Sequence, residues 1–284
     1  MTGSSRREFI KAVGIAAAAS SLPLSRGFAQ RESTHTFRTP MPFDLGIASY
    51  TFRVFTLAQT LEMTKRLDIK ALTLKDMHLP LTSTESQIQA ALEEIRNAGL
   101  HLTSCGVVYM KSEDEVQRAF SYASMVGLKM LVGAPDQSLL SVAERAVKAT
   151  DIALAIHNHG PTDDRFPSPE SAYRLIEKMD RRMGLCIDVG HTRRLGLDPA
   201  VEVERFSDRL LDIHLKDVTS ADAHGTTIEM GRGVIDIPNL LRTLVKVKYA
   251  HTLHFEFEKD EKDPLPGLAE SIGYVRGALD SIFA

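Results

Sequence analysis

From residue 44 onward, short β-prone runs alternate eight times with amphipathic helical segments, and this alternation is the strongest constraint on the fold. A β-run feeding a helix that feeds another β-run is the signature of a parallel sheet with crossover helices. The expected strands are Asp44–Ser49, Ile69–Lys75, Leu100–Val107, Leu128–Val132, Ile152–Asn158, Met183–Val189, Leu210–Leu215 and His251–Phe257. Helices are expected from Leu57 to Leu67, Thr84 to Ala98, Leu139 to Thr150 and Gly267 to Leu279, with others after Ser112, Pro169, Pro199 and Pro238. Gly99 and Gly127 act as stop signals, and Ser112–Glu115 reads as a capping box. Eight units are what a closed (β/α)8 barrel needs. An open doubly wound sheet requires a glycine-rich first turn, and Ser49-Tyr50-Thr51-Phe52 has no glycine.

The chain outside the repeat reads differently. Ser5-Arg6-Arg7-Glu8-Phe9-Ile10-Lys11, then an apolar stretch and Gly27-Phe28-Ala29, matches a twin-arginine export signal cleaved after Ala29. The expected layout is a signal peptide over 1–29, a polar tether over 30–42 and one barrel domain over 43–284, with a periplasmic or otherwise exported destination. Loss of the leader removes four basic residues and one acidic, leaving 30 Lys+Arg against 36 Asp+Glu, a net charge of −6. An acidic chain is a poor partner for nucleic acid, and no apolar run beyond the leader is long enough to span a membrane. Cys105 and Cys186, the two cysteines, fall in separate expected strands and read as buried free thiols.

Barrel active sites sit at the C-terminal ends of the strands, and the polar residues of this chain gather there. The second strand runs into Lys75 and His78, the fifth into His157 and His159, and the sixth into Asp188 and His191. The seventh carries His214, Lys216 and Asp217, and the eighth His254, Glu256 and Glu258. Groups this costly to bury unpaired suggest chemistry rather than scaffold. Asp, His and Glu together suit one divalent ion, Mn, Co, Mg or Zn. Asp188, His214 and Glu256 lead that reading. Glu258 opens an acidic run and reads as a solvated loop charge.

The motifs Cys-Ile-Asp-Val-Gly-His (186–191), His-Leu-Lys-Asp (214–217), Gly-Arg-Gly-Val-Ile-Asp (231–236) and His-Phe-Glu (254–256) resemble those of the xylose isomerase-like TIM-barrel family, the sugar phosphate isomerase/epimerase group. The resemblance covers residues 44–284. It implies a metal held by His157, Asp188, His214 and Glu256, with His157 standing where the family most often has Glu. It also implies substrate contacts from His191 and Arg232, with Lys75, His78 and Lys216 nearby. The expected activity is a metal-dependent isomerisation or epimerisation of a keto sugar or polyol. Glu256 is the expected general base and His157 or His159 the partner acid. One carboxylate fewer also fits a β-elimination on a 3-keto sugar or glycoside. A non-catalytic carbohydrate-binding barrel is the competing class. The export signal and the lack of a glycine-rich phosphate cradle favour a small non-phosphorylated sugar as the partner, with no nucleic acid.

Overall fold

The computed structural model describes residues 42–284; the expected signal peptide and nearly all of the tether lie outside the described residues. Eight parallel strands close into a barrel in sequential order. They are β1 (Asp44–Ala48), β2 (Ala71–Leu74), β3 (His101–Met110), β4 (Met130–Pro135), β5 (Ala153–His157), β6 (Met183–Asp188), β7 (Leu210–Leu215) and β8 (Thr252–Phe255). β1 pairs with both β2 and β8, so the sheet has no free edge.

The helices fill the outside: α1 (Leu57–Arg66), α2 (Glu85–Asn97), α3 (Glu113–Val126), α4 (Leu140–Thr150), α5 (Pro169–Ile176), a short α6 (Val189–Arg193), α7 (Pro199–Arg205), α8 (Ile237–Lys246) and α9 (Leu265–Phe283). Their starts follow local chemistry. Thr56 with Gln59, Thr84 with Gln87 and Ser168 with Ser171 form reciprocal capping boxes. The box expected at Ser112 is only half formed. Ser112 accepts from the Glu115 N–H at 3.3 Å, but the Glu115 carboxylate reaches one residue further back, to the Lys111 N–H at 2.6 Å. Gly127 ends α3 at φ 79°, a left-handed conformation that costs glycine little.

At the N-terminal end of β7, buried Arg209 donates to the carbonyls of Glu177, Met179, Asp180 and Met183 at 2.7–3.0 Å. This one guanidinium serves four carbonyls between α5 and the start of β6, of which that of Asp180 also accepts from the Met183 N–H at 2.9 Å. Cys105 and Cys186 are both buried free thiols, as expected. Among the described residues no helix is long and apolar enough to cross a membrane. The connection after β7 holds a two-stranded antiparallel ribbon, Asp217–Val218 against Thr227–Ile228, beyond the eight expected strands.

Candidate metal centre

Four neighbouring strands deliver one side chain each to a single point. His157 ends β5, Asp188 ends β6, His214 lies one residue before the end of β7, and Glu256 follows β8 directly. All four are buried. Parallel pairing sets Asp188 beside His214, and His214 beside His254. One ligand atom from each of the four lies within 4.8 Å of every other. His157 Nε2 is 3.2 Å from His214 Nδ1 and 3.5 Å from Asp188 Oδ2, and His214 Nδ1 is 3.2 Å from Glu256 Oε2. Two ligands held at ~2.1 Å from an ion and ~90–110° apart lie about 3.0–3.4 Å from each other. The spacing and the donor set therefore fit a divalent cation. Cys186 also lies close to His157 and His214. Burial, with Asp212 and Asp188 nearby, pushes its thiol well up and keeps it protonated, so the carboxylate set is the better ligand group.

Lys216 completes the electrostatics. Its buried ammonium lies 2.9 Å from Asp188 Oδ2 and 2.7 Å from Glu256 Oε2, and it also pairs with Glu258. Burial alone would depress its pKa, but the three carboxylates outweigh that and hold it well above the usual lysine range. In turn, burial would raise Asp188 and Glu256. The charges of His191 and Lys216 on the first, and Lys216 and His214 on the second, hold both carboxyls well below their usual range. Gly190 makes room for this arrangement. A Cβ there would sit 2.3 Å from Lys216 Cγ, so the lysine stem crosses the chain where the Asp-Val-Gly-His motif has no side chain.

The two imidazoles differ. Burial and the neighbouring His159 push His157 well below 6.5, leaving it a neutral donor. Burial also works against a charge on His214, but Glu256, Asp212 and Asp188 outweigh it and raise its pKa. A second polar layer lies behind His214. His254 bridges Asp212 Oδ1 at 2.7 Å and Thr103 Oγ1 at 2.8 Å across the barrel interior. Asn158 accepts from the Asp188 N–H at 3.0 Å, and Asp188 Oδ1 accepts from the His191 N–H at 2.8 Å.

A cavity of about 250 Å³ opens over these groups, walled by Lys75, Tyr109, His157, His159, His191, Glu256 and Glu258, with Tyr50 and Val107. Tyr109 Oη is hydrogen-bonded to His159 Nε2 at 2.8 Å, and His159 Nδ1 lies 3.1 Å from Asp163 Oδ2, a close electrostatic contact outside hydrogen-bond geometry. Burial and His191 lower the His159 pKa, while burial and Asp163 raise that of Tyr109. Near neutral pH the imidazole is therefore uncharged and the phenol protonated. Lys75 donates to the Val107 carbonyl and lies 5.2 Å from the Tyr109 ring centre.

The expected site residues thus divide. His157, Asp188, His214 and Glu256 converge, and Lys75, His159, His191 and Lys216 surround them. Two are placed elsewhere. His78 is buried beside α1, with Nδ1 2.9 Å from Ser49 Oγ and Nε2 3.1 Å from Thr60 Oγ1, so its ring joins β2 to its neighbours and does not line the cavity. Arg232 turns outward and pairs with Glu270 at 2.6 and 2.8 Å in an exposed bridge. Glu258, read from sequence as a solvated charge, instead pairs with Lys216 and walls the cavity. Tyr109 and Asp163 were not singled out from the sequence. Tyr109 lies in β3, which runs three residues past the expected end at Val107.

Comparison with known proteins agrees with this architecture. The sequence profile of the xylose isomerase-like TIM barrel family matches residues 50–278. A curated relative, the rhizopine catabolism protein MocC of Rhizobium meliloti, is 28% identical over 153 residues, 49% of this chain and 46% of that protein. The chain's match thus spans about half the length of that relative. Among solved structures, an L-ribulose 3-epimerase superposes with a TM-score of 0.68 at 15% identity, covering 84% of this chain and 95% of the other. The probable 3-DHS dehydratase AsbF, involved in petrobactin synthesis in Bacillus anthracis, gives 0.65 at 11% identity, covering 82% and 98%. A xylose isomerase-like TIM barrel protein from Mycobacterium smegmatis, in complex with magnesium, gives 0.65 at 15% identity, covering 85% and 98%. Barrel topology and a profile match over most of its length lead to one conclusion: the chain belongs to the xylose isomerase-like TIM barrel family.

Proposed function

We propose that this chain is a divalent-metal-dependent sugar isomerase or epimerase acting on a non-phosphorylated keto sugar or polyol. The observation that carries the reading is the convergence of His157, Asp188, His214 and Glu256 at ion-binding separations beneath a cavity. An epimerase, a dehydratase and a magnesium complex among its structural neighbours support it. His157, Asp188, His214 and Glu256 would hold the ion, which when bound would supply Lewis-acid polarisation of a carbonyl and stabilise negative charge on its oxygen.

The chain's own groups supply the rest. Glu256 is ionised and placed to accept the proton. Tyr109, kept protonated and backed by His159 and Asp163, is placed to return one to carbon or to an oxygen. Lys75 and His191 orient hydroxyls from the cavity wall. Lys216 holds the two ligand carboxylates in their ionised form.

One observation favours a second reading. His157, held neutral by burial, stands where the resembled family most often has Glu, which leaves Glu256 as the base with the Tyr109 hydroxyl as its partner acid. That pairing suits β-elimination from a 3-keto sugar or glycoside as well as epimerisation. The twin-arginine pattern at Ser5–Lys11 supports action outside the cytoplasm, which N-terminal sequencing of the exported protein tests.

Elemental analysis of the purified protein, with solvent deuterium incorporation into a panel of keto sugars, tests the main reading. About one divalent ion per chain and exchange beside the carbonyl are expected; a new double bond in the product selects the lyase. Glu256→Gln is expected to remove exchange while the fold survives by circular dichroism. Full exchange in that variant removes Glu256 as the base. Tight sugar binding with no exchange selects the non-catalytic barrel.

A further inference from the structure

A second cavity, about 480 Å³, adjoins the first. The two share His191 and Glu258, and Lys216, the ion-pair partner of Glu258, lines the outer one. The inner cavity, at about 250 Å³, falls below the roughly 300–1,000 Å³ typical of small-molecule sites. It has room for one sugar ring. The outer one lies within that range and is built by the Asp217–Val218/Thr227–Ile228 ribbon and the turn between its strands.

The outer lining is specific in its chemistry. Val218 and Ile228 contribute apolar groups to the lining, and Thr219, Thr226 and Thr227 add hydroxyls, those of Thr219 and Thr226 lying 3.3 Å apart in a shared hydrogen bond. Its cations are mostly neutralised: Lys216 by three carboxylates, and Lys259 by Glu229 at 2.7 Å. Arg194 has no carboxylate partner among the described residues, and donates to the Ala223 carbonyl at 3.0 Å. A wall mixing apolar contacts, hydroxyls and one guanidinium matches a neutral ring rich in hydroxyl groups better than an anion, which calls for several free cations.

We propose that the outer cavity is a second sugar subsite, so that the substrate is a disaccharide-like keto glycoside: the keto ring sits over the metal centre and the second ring lies on the ribbon. This rests on the proposed reading of the inner cavity as the keto-sugar site. It gives the ribbon a role that the inner cavity does not require.

The test is calorimetry on the full protein with added Mn²⁺, comparing 3-keto-glucose with the 3-keto derivatives of trehalose, sucrose and cellobiose. At least one disaccharide is expected to bind ten times more tightly than the monosaccharide. Thr227→Trp, which fills the outer cavity, is expected to abolish that ratio, and Arg194→Met to reduce it, with each variant's melting curve checking its fold. Equal binding of mono- and disaccharides, or an unchanged ratio in both variants, overturns the subsite. Deuterium exchange on the same samples separates the two ideas. A disaccharide preference without exchange keeps the subsite and removes the proposed chemistry; exchange on the monosaccharide without preference does the reverse.

Discussion

Lys216→Met keeps most of the side-chain stem that crosses Gly190 but deletes the ammonium between Asp188, Glu256 and Glu258. Glu258 is about a third exposed, so water screens much of its share. Asp188 and Glu256 are buried, and leaving a buried charge without its partner costs ~3–5 kcal/mol. Protonation offers the chain an escape. Loading a proton at pH 7 onto a carboxyl whose unfolded pKa is ~4.3 costs about 1.36 kcal/mol per unit, or roughly 3.7 kcal/mol. The ion-free variant is therefore expected to lose about 3–4 kcal/mol at pH 7. With the ammonium gone, burial raises the folded carboxyl pKa above its unfolded value. A group shifted that way contributes its stability at low pH and loses it as pH rises through the folded pKa. By the same arithmetic the deficit shrinks to about 1 kcal/mol at pH 5. At ~2–4 °C per kcal/mol for a domain of this size, the melting temperature falls by about 7–15 °C at pH 7 and about 2–4 °C at pH 5. Thermal unfolding in EDTA, followed by circular dichroism, measures both. Added Mn²⁺ is expected to raise the variant's melting temperature more than the wild type's, because the two carboxylates then lack a competing cation. A deficit under about 1 kcal/mol at pH 7, or one independent of pH, would refute the assignment of Lys216 as the counter-ion of this cluster.

Three further outcomes follow from the packing. Gly190→Val drives a side chain into Lys216 and is expected to cost about 1–3 kcal/mol with a weakened pH dependence of the same sign, read in the same melts. Arg209→Met removes four side-chain hydrogen bonds to backbone carbonyls, of which that of Asp180 keeps the Met183 N–H, and is expected to cost about 3 kcal/mol in urea unfolding; a loss under about 1 kcal/mol would mean water replaces the guanidinium. Burial lowers the His78 pKa below 6.5, so its stabilising contribution is present above about 6.5 and lost as pH falls below it. His78→Gln is accordingly expected to flatten the fall in melting temperature between pH 7 and pH 5.5.

The barrel was legible because each β-run and helix declares itself locally, through periodicity and stop signals that depend little on the rest of the chain. All eight strands overlap their expected spans, with β7 matching at both ends. The four convergent side chains were legible for a related reason: a strand's C-terminal residue has its place set by the barrel. Lys75, His159 and His191 gained theirs from the same rule. His78 and Arg232 did not, because each lies four residues past its strand, a full turn further than the strand end can direct. His78 turns back under Ser49 and Thr60, and Arg232 out to Glu270. Glu258 misled through its acidic neighbours. Charge in a run usually means solvent, but this residue has Lys216 within reach across the cavity. Tyr109 escaped notice because β3 runs further than its apolar run does.

The four convergent residues span positions 157 to 256, each at, or one residue from, the end of one of four successive strands in the second half of the barrel. No two are close enough along the chain to chelate an ion locally, so an unpaired strand offers it a single ligand and only the assembled strands offer all four. An ion that recognises only the assembled state adds RT ln(1 + [M]/Kd) to the stability of that state, about 2.7 kcal/mol at a free concentration of a hundred times Kd. On the proposed reading the centre would act as a cinch on strands β5 to β8, this half of the barrel gaining stability as metal is supplied.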